Sequence, residues 1–554
     1  MAQKQGNTVN GIRLNISIPI IREADDENSY LLSAGMSVLE LLAVKGFSFS
    51  APCGGYGACG SCRIKFVGIE LPSPTQVEKH HLSASELEQG IRLACQVRTE
   101  NDIRISFENF PKGSKWRKLL EEEYLPVDNS MSFSSSADKN QYGIAVDLGT
   151  TQIRLTLWDM QRGIRMAGRS VINPQMCFGA DILNRVAAAV ESKSDAHKIS
   201  LLAGKVIAEG LTGLTGEMCI SRGLIRHMTI VGNTAMLSLL SERNYELLLQ
   251  PKYWMEEVDF QPEDINTLKD LWQINRKASV DLMPSAAGFV GSDLLAAVLY
   301  TDMIKKNKIS LLIDFGTNSE IALWDGKTLW ITSAAGGPAF DGCGIYQGMP
   351  GETGAVYQID CENSNSGFKC RIIGDGKPKG ICGSGIIDAV ASMLKSDLLK
   401  PSGRFQKVHK SDEVILYKGL PDIVIKNSDV DVFQRAKAAV GAGISCLLKE
   451  ADILSKDLQV VFVCGAFGQH LNIRNSQSIG LLPDIPVELF NILGNAALGG
   501  CEKLLLSRES QKTLFSIKQL SRVLDLSRHS EFEDAFLGNL FLNPITIKTG
   551  GNNV

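Results

Sequence analysis

The chain has 554 residues with 44% hydrophobic side chains, more than a single core usually buries, so we expect two to four domains. Its formal net charge of −4 argues against the strongly basic surface of a nucleic-acid-binding protein, and no run of about 20 apolar residues predicts a transmembrane helix. The N-terminal segment lacks a basic-then-apolar signal pattern, so we expect a cytoplasmic protein whose 13 cysteines stay reduced.

One glycine-rich stretch, 53–62 (CGGYGACGSC), brings three cysteines together, and a fourth follows after a gap of thirty-two residues. A zinc ribbon would normally repeat the Cys-x-x-Cys pair, so zinc and a metal-free loop are the alternatives. Three thiolates on one loop with a distant fourth are typical of a [2Fe–2S] centre, and glycines let the backbone wrap closely around the sulfurs. The predicted cluster ligands are Cys53, Cys59, Cys62 and Cys95.

The segments around these cysteines predict a small α+β domain. Residues 36–46 have the spacing of a short amphipathic helix. The segments with the pattern of strands are 12–20, 62–68 and 102–107. Residues 11–108 therefore resemble the β-grasp ferredoxin module, with a first cysteine gap closer to the adrenodoxin-like than to the plant spacing. His80 and His81 lie in a polar stretch and are expected to be solvated.

The next segment, 109–140, predicts a linker between domains. Its first half is charged and is expected to form a short helix, whereas 129–140 is serine-rich and poor in apolar side chains. Such a composition is typical of a flexible tether. We therefore expect the N-terminal domain to occupy 1–108.

The chain then contains one hairpin motif twice. The motif is an apolar strand ending in Asp, a tight turn that begins Gly-Thr, and an alternating strand. The copies are 142–159 (YGIAVDLGTTQIRLTLWD) and 309–326 (ISLLIDFGTNSEIALWDG). The turn presents N–H groups and hydroxyls that can cradle phosphate, and Asp147 or Asp314 can hold hydrated Mg²⁺. A plain hairpin is the alternative for one copy alone, but repetition implies two similar halves. The predicted phosphate-binding residues are Gly149, Thr150, Thr151, Gly316, Thr317 and Asn318.

A third glycine-rich turn follows an apolar strand in 460–472 (VVFVCGAFGQHLN), where close backbone approach suits a flat nucleoside. Two further glycine turns, in 232–240 and 381–394, are each expected to open a helix. The predicted nucleoside contacts are Gly465, Ala466, Phe467 and Gly468. The cysteines beside glycines in the second half, expected to pack in the core, are Cys343, Cys382 and Cys464.

In this order, the three motifs resemble the superfamily of acetate and sugar kinases, Hsp70 and actin (ASKHA) over residues 141–505. The resemblance implies an α/β ATPase fold with one subdomain over 141–305 and a second over 306–554. It also implies that Asp147 and Asp314 organise Mg²⁺ and the attacking water, that both repeated turns hold the phosphates of ATP, and that the third turn holds the nucleoside.

An iron–sulfur module followed by an actin-like ATPase resembles the reductive activators of corrinoid proteins, including those of O-demethylase systems. The resemblance implies an ATP-hydrolysing electron-transfer enzyme that uses a [2Fe–2S] cluster, ATP and Mg²⁺. Its partners would be a corrinoid protein, returned from Co(II) to Co(I), and a low-potential electron donor; a homodimer is the family expectation. Glycine-rich 331–355, too irregular for a core element, is either a phosphate-side loop or a loop that approaches the corrinoid through Thr332 or Ser333.

Other function classes fit the sequence less well. A sugar kinase leaves the cysteine module unexplained. An Hsp70-like chaperone needs a peptide-binding β-domain, whereas only about 50 residues follow position 500. An activator of 2-hydroxyacyl-CoA dehydratases shares the actin-like fold but bridges a [4Fe–4S] cluster between subunits.

Overall fold

The structure is a computed structural model, and the chain divides into two compact units, residues 1–115 with 174–180 and residues 116–173 with 181–554. Among the described residues, no helix combines the length and apolar character needed to cross a bilayer. The described residues are 8–9, 12–13, 20–23, 29–31, 37–44, 55, 62–67, 73–98, 103–106, 116–127, 141–179, 181–306, 308–336, 338–342, 344–361, 367–374, 376–406, 412–419, 422–465 and 470–545.

The first unit combines short strands with short helices. Its strands are β1 (Thr8–Val9), β2 (Ile12–Arg13), β3 (Ile20–Glu23), β4 (Ser29–Leu31), β5 (Arg63–Phe66), β6 (Ile91–Leu93) and β7 (Ile103–Ser106), and its helices are α1 (Val38–Val44), α2 (Gln76–His81) and α3 (Ala84–Glu88). One mixed sheet has the order β4-β3-β7-β5-β6, and β1 pairs with β2. The predicted helix over 36–46 and the strands within 62–68 and 102–107 are confirmed, whereas most of the predicted strand 12–20 lies outside the described residues.

The first half of the second unit is one sheet covered by helices. Its strands are β8 (Arg117–Lys118), β9 (Tyr142–Leu148), β10 (Gln152–Asp159), β11 (Ile164–Ile172), β12 (Ile225–Gly232) and β13 (Ser279–Leu282), and its helices are α4 (Ile182–Glu191), α5 (Lys193–Glu217), α6 (Thr234–Ser241), α7 (Ile265–Trp272) and α8 (Ser292–Thr301). The order is β13-β12-β9-β10-β11-β8, antiparallel from β9 to β8 and parallel at β12 and β13.

The second half is larger. Its strands are β14 (Ser310–Phe315), β15 (Ser319–Trp324), β16 (Leu329–Ala334), β17 (Ala355–Cys361), β18 (Phe368–Ile372), β19 (Gly380–Ile381), β20 (Glu413–Tyr417), β21 (Ile423–Lys426), β22 (Val460–Gly465), β23 (Phe490–Ile492) and β24 (Ser521–Val523). Its helices are α9 (Gly383–Lys395), α10 (Asn427–Glu450), α11 (Ile473–Ser478), α12 (Ala496–Leu506), α13 (Arg508–Leu520) and α14 (Phe532–Asn539). The main sheet has the order β23-β22-β14-β15-β16-β24, beside the smaller sheets β18-β17-β19 and β20-β21.

The two large sheets repeat one topology, as the sequence repeat predicts. In each, an antiparallel three-stranded meander carries two parallel strands beside its first strand, and a helix follows the outer parallel strand: α8 after β13, and α12 after β23. These helices share a core in which Leu295 of α8 and Leu504 of α12 are fully buried. Because this core draws residues from both sheets, it joins the two halves beneath the cleft described below.

One segment differs from the short helix expected in the first half of 109–140. Residues Arg117–Lys118 instead form β8, which pairs antiparallel with β11 at the edge of the first sheet. A single 3-10 turn follows at Glu121–Glu123. Arg117 makes two parallel hydrogen bonds to Glu123, of 2.6 and 2.7 Å, so these charges fold back on each other rather than line a helix face.

A second difference concerns the start of the glycine-rich segment 331–355, which was expected to be too irregular for a core element. Its first four residues are the end of β16, between β15 and β24. Ile331, Thr332 and Ala334 are buried there. The reason is that both faces of this stretch are covered where β24 completes the sheet, since the adjacent residues Ile331 and Thr332 point to opposite faces and are both buried.

Candidate functional site

Two of the four predicted cluster cysteines are described in the first unit, and they lie together. Cys62 precedes β5 and Cys95 lies in the turn after β6; both thiols are buried. A hydrogen bond from the Cys62 thiol lowers the pKa of Cys95 to about 7. Cys53 and Cys59 lie outside the described residues.

The turn that carries Cys95 is held from several sides. The Cys62 carbonyl accepts the N–H of Ala94, at 2.8 Å, which ties the two cysteine segments together. Glu78 accepts two hydrogen bonds from Arg92, each 2.8 Å, and a third from the N–H of Leu93. Burial alone would raise the pKa of Glu78, but these hydrogen bonds bring it below its ordinary value. The turn is therefore fixed before any ligand binds.

The cysteines fit the group that their spacing predicts. Iron binds thiolates, and the Cys95 thiol, whose pKa is lowered by the hydrogen bond from Cys62, gives up its proton readily. Gly55 has φ +88, and a Cβ there would lie 3.8 Å from the Cβ of Cys95, so this glycine of the predicted cluster loop lies directly beside the cysteine. Of the two histidines in the polar stretch, His80 is exposed and His81 half-buried, as expected.

In the second unit, the first hairpin consists of β9 and β10 with the tip 149–151. Gly149 allows the tip to close, since a Cβ there would lie 2.5 Å from the Gln152 carbonyl oxygen. Asn173 donates its side-chain N–H to the Gly149 carbonyl at 2.9 Å, and Asn233 donates to the Thr150 hydroxyl at 2.9 Å. The tip is therefore held by side chains from two neighbouring segments, and the N–H of Gly149 closes the turn by donating to the Gln152 carbonyl at 3.1 Å.

The second hairpin consists of β14 and β15 with the tip 316–318, and it faces the first. The Oγ1 atoms of Thr151 and Thr317 lie 2.7 Å apart. Both hydroxyls also lie within hydrogen-bond distance of Oδ2 of Asp341, at 3.0 and 3.1 Å. The two turns that the sequence repeat predicts as phosphate-binding thus meet at one point.

Each strand-end carboxylate has a charged residue opposite it in the sheet register. Asp147 pairs with Arg154, whose Nη1 lies 3.6 Å from Oδ2 of Asp147. Asp314 pairs instead with Glu320. The two hairpins are therefore similar in backbone but unlike in charge, and the second one concentrates negative charge.

The N-termini of α8 and α12 complete this arrangement. Asn495 caps α12 by accepting the N–H of Leu498, and its amide donates to Oδ2 of Asp147 in the other half at 2.5 Å. At the equivalent place Ser292, the first residue of α8, lies within hydrogen-bond distance of the backbone N–H and carbonyl of Gly232 and is followed by Asp293. Each helix therefore points a polar side chain at the cleft.

The carboxylates of Asp293, Asp314 and Glu320 lie in a poorly hydrated part of the cleft. Burial, followed by the charges of Asp293 and Asp147, raises the pKa of Asp314 to about 7. Burial also raises the pKa of Asp293 to about 7, and raises that of Glu320 well above its ordinary value with help from Asp293 and Asp314. Several carboxylates at one place cannot all ionise without a compensating cation. Among the described residues, no three acidic, histidine or cysteine side chains are placed to ligate an ion directly.

The third motif begins beside Asp314. Gly465 ends β22 with φ +94, and a Cβ there would clash with the Phe315 carbonyl oxygen and with Oδ1 of Asp314. Its N–H donates to the Gly494 carbonyl at 3.2 Å, just before Asn495. Ala466, Phe467 and Gly468 lie outside the described residues. The glycine thus permits a close approach of β22 to the second hairpin.

These elements surround one cleft of about 960 Å³ in the second unit, a volume suited to a nucleotide-sized ligand. Both hairpin tips, Asp293, Gly465 and Asn495 line it. So do Cys382 and Ser384 at the start of α9, the helix that the glycine turn in 381–394 predicted. Cys382 and Cys464 are buried, as expected, whereas Cys343 lies outside the described residues.

The two predicted corrinoid contacts lie on opposite faces of β16. Thr332 is 1% exposed and its hydroxyl donates to the Leu524 carbonyl at 2.8 Å, so in this structure it is turned into the core and not toward an external ligand. Ser333 is half-buried and its hydroxyl lies 3.3 Å from the Glu320 carboxylate. Of the two, only Ser333 is directed toward the acidic group of the cleft.

Comparison with known proteins agrees with this two-part construction. Residues 22–100 match the profile of the 2Fe-2S iron-sulfur cluster binding domain, 142–306 that of the RACo middle region, and 308–549 that of the C-terminal domain of RACo, the ASKHA domain. The corrinoid activation enzyme RamQ of Eubacterium limosum is 32% identical over 435 residues, which are 73% of this chain and 71% of that protein. This chain belongs to the corrinoid reductive activator family.

Two further relatives support membership in the activator family. The [Co(II) methylated amine-specific corrinoid protein] reductase of Methanosarcina barkeri is 27% identical over 66% of this chain and 70% of that protein. A solved structure, titled reductive activator for corrinoid, iron-sulfur protein, matches 96% of this chain and 99% of its own with a TM-score of 0.68 and 26% identity. The ferredoxin-plus-ASKHA fold is thereby confirmed, and the activator family is favoured over the kinase, chaperone and dehydratase-activator alternatives.

Several polar residues of this activator's cleft were not marked by sequence reasoning. Asn495 and Asp293 had a usable signal, because each lies one or two residues after a glycine that precedes a run of small and apolar residues, in GFVGSDLLAA (288–297) and NILGNAALGG (491–500). Asp341 had none, since its neighbours in sequence resemble an ordinary glycine-rich loop. The residues that the structure adds to the site are Arg154, Asn173, Asn233, Asp293, Glu320, Asp341 and Asn495.

Proposed function

We propose that this chain is an ATP-dependent reductive activator that passes one electron to the Co(II) form of a corrinoid protein in a methyltransferase or O-demethylase system, regenerating Co(I). The observation that carries the proposal is the meeting of the two hairpin tips, with Thr151 and Thr317 2.7 Å apart, in a chain that also carries the four-cysteine module. The names of the relatives from E. limosum and M. barkeri support a corrinoid protein as the electron acceptor.

In this proposal Asp147 and Asp314 organise a hydrated Mg²⁺ and the water that attacks ATP. Burial and the neighbouring charges of Asp293 and Asp147 raise the pKa of Asp314 to about 7, and a dication between Asp147 and Asp314 would compensate that negative charge. Asn495 would keep the Asp147 carboxylate in place through its amide. The phosphates would be held by Gly149, Thr150, Thr151, Gly316, Thr317 and Asn318, and the nucleoside by Gly465, Ala466, Phe467 and Gly468.

ATP is needed because electron transfer to Co(II) is energetically unfavourable. For a gap of ~250 mV the step is uphill by roughly four decades, since ~59 mV corresponds to a factor of ten for one electron. When bound, the [2Fe–2S] cluster supplies the one-electron carrier. Closure of the cleft on nucleotide is the motion by which this chain would bias its partner toward accepting the electron.

The test is anaerobic reduction of a purified Co(II) corrinoid protein with titanium(III) citrate as the electron donor, following Co(I) by absorption. We expect Co(I) to accumulate only with this protein and Mg-ATP together, and Cys95→Ser to abolish it while ATP hydrolysis persists. Iron and acid-labile sulfide should be present in a ratio of about one to one, two of each per chain. Reduction at the same rate without ATP, or phosphorylation of a sugar, would refute the proposal.

We further propose the remaining features that the sequence predicts. These are domain limits at 1–108, 141–305 and 306–554, a cytoplasmic location, a low-potential electron donor and a homodimer. Light scattering during size-exclusion chromatography tests the dimer, because a monomeric mass at micromolar concentration would contradict it.

A further inference from the structure

We infer that Asp341 is a positioning residue of the nucleotide site, whose carboxylate competes with a phosphate of the nucleotide for the hydroxyls of Thr151 and Thr317. The inference rests on the proposed function in assuming that the cleft binds ATP. It adds a residue that neither the sequence motifs nor the repeat pointed to.

The first step of the argument is the hydrogen-bond geometry. Oδ2 of Asp341 lies 3.0 Å from Oγ1 of Thr151 and 3.1 Å from Oγ1 of Thr317, and the two hydroxyls are 2.7 Å from each other. Each hydroxyl has one proton to donate. A carboxylate that accepts at this point uses the same protons that a phosphate oxygen would need, so the two acceptors exclude each other.

The second step is that the position of Asp341 is fixed by the core. It ends the 3-10 helix Pro338–Asp341, in which Ala339 and Phe340 are 2% exposed. The Phe340 ring meets the ring of Phe315, at the base of the second hairpin, with centroids 5.3 Å apart, and that of Phe433 at 6.1 Å. Asp341 and Thr317 therefore belong to one packed half, and Thr151 approaches them from the other half.

The third step concerns the turn that follows. Gly342 has φ +82, and a Cβ there would clash with the backbone N of Met349. The chain must therefore fold tightly back immediately after Asp341. With the core on one side and this turn on the other, the backbone that carries the Asp341 carboxylate is held in place.

The fourth step is electrostatic. A phosphate placed between the two threonines would meet the carboxylates of Asp341 and Asp314 together. Burial raises the pKa of Asp341, while its hydrogen bonds to both threonines and the charge of Arg154 act in the opposite direction. An ionised Asp341 thus weakens phosphate binding by repulsion as well as by competition for protons. Its presence sets how tightly the cleft holds a nucleotide.

The experiment measures ligand binding by calorimetry on the full, cluster-loaded chain. Asp341→Ala should bind Mg-ADP and pyrophosphate about tenfold more tightly than the wild type, because a competing charged acceptor is removed. Adenosine, which carries no phosphate, should bind equally to both. Asp341→Asn keeps the shape and removes only the charge, so it should show the same direction of change and serves where the alanine variant folds poorly.

A double-mutant cycle separates this role from general packing. In a Thr151→Val, Thr317→Val background the gain from Asp341→Ala should be smaller than in the wild-type background, because both shared hydroxyls are gone and only the repulsion between the carboxylate and phosphate remains. Asp388→Asn is the matched control: Asp388 is also buried and accepts hydrogen bonds from Asn475 and Ile359, but it lies outside the cleft. Its nucleotide affinity should equal the wild type.

The outcomes are distinguishable. Unchanged or weaker Mg-ADP binding by both Asp341 variants, beside normal binding by the wild type, overturns this inference and leaves the proposed function standing. Equal tightening for adenosine and pyrophosphate also overturns it, since the effect would not depend on phosphate. Absence of nucleotide binding by the wild type overturns the proposed function and this inference together.

Discussion

The backbone at Gly465 adopts φ +94 at the point where β22 comes closest to the second hairpin. A side chain there would be strained by the left-handed backbone and would also displace the Asp314 carboxylate. At this residue a structural requirement coincides with the proposed nucleoside contact, and a single added methyl group can test both.

We predict that Gly465→Ala lowers the free energy of unfolding by about 2–4 kcal/mol, the usual size of a strained backbone combined with a core clash. It should also weaken ATP binding, because Asp314 must move. Denaturant unfolding and calorimetry measure the two effects. Gly216→Ala, in α5 with no atom within 4 Å of the added methyl, is the control and should change stability by about 1 kcal/mol or less. Wild-type ATP affinity in Gly465→Ala would contradict the assignment of the third motif.

The pKa of Asp314 predicts how stability depends on pH. Since burial and the charges of Asp293 and Asp147 raise the folded-state pKa to about 7, against an ordinary value near 4, the folded chain holds this proton more tightly than the unfolded chain. The resulting stabilisation is present below about pH 4 and is lost as the pH rises through about 7.

Asp314→Asn should therefore melt at a higher temperature than the wild type at pH 8, where the buried charge is fully formed. At pH 4 to 5 the two should melt within a degree or two of each other. Thermal melts of the metal-free protein across this range measure the difference. The same variant should lose most ATP hydrolysis and keep most ATP binding. A pH-independent difference in melting temperature would show that the carboxylate does not carry the effect.

At the scale of secondary-structure elements, the N-terminus of α12 links helix stability to the cleft. The side chain of Asn495 makes two hydrogen bonds: its carbonyl oxygen caps α12, and its amide donates to Asp147. Asp at this position would keep the cap, because a carboxylate also accepts the N–H of Leu498, but it would replace the donor with a second negative charge. The substitution thus separates helix stability from the function of the site.

We predict that Asn495→Asp changes the free energy of unfolding by about 1 kcal/mol or less through the cap, yet reduces ATP hydrolysis by about 10- to 100-fold. Asn472→Asp, at the cap of α11, keeps a similar cap outside the cleft and should hydrolyse ATP normally. Circular dichroism melts and phosphate release measure the two quantities. If both variants lost hydrolysis equally, the amide of Asn495 would have no special role.

The same elements explain what the sequence predicts well and what it does not. The hairpins and the helices α6 and α9 follow from local patterns, namely alternation, an Asp at a strand end and a glycine turn. The sequence did not predict the strands at 117–118 and 331–334, because β8 and β16 pair with β11 and β24, which are distant in sequence. The pairing of these two strands with distant partners is set by tertiary structure and not by a pattern within the strands themselves.

The residues of the candidate site also fall into those that the sequence predicts and those that it does not. Gly149, Gly316 and Gly465 are predictable because each turn needs a residue without a side chain. Asp341 is not predictable, since its place beside Thr151 results from how the Phe340 ring packs between Phe315 and Phe433. Chemistry that depends on tertiary packing leaves no local pattern in the sequence.

At the scale of the whole molecule, the sequence predicts that 129–140, outside the described residues, tethers the cysteine module to the ATPase. A flexible segment of about 12 residues spans roughly 20 Å. Deleting 130–138 should therefore slow Co(I) formation while iron content and ATP hydrolysis stay at wild-type levels. Replacing 130–138 with a glycine–serine segment of equal length is the control and should restore the rate. Full activity of the deletion variant would show that electron delivery does not require this reach.

The contact between Asn495 and Asp147 joins residues 348 positions apart in the chain, one from each similar half. Neither half contains all of the contacts alone. The second half supplies the Asn495 amide that binds Asp147 of the first half, and Asp293 of the first half adds to the effect of burial in raising the pKa of Asp314 in the second. A gene cut at the junction near residue 307 should therefore yield two polypeptides that are each inert toward ATP. Co-expressed, they should reassemble through the shared core of α8 and α12 and recover hydrolysis.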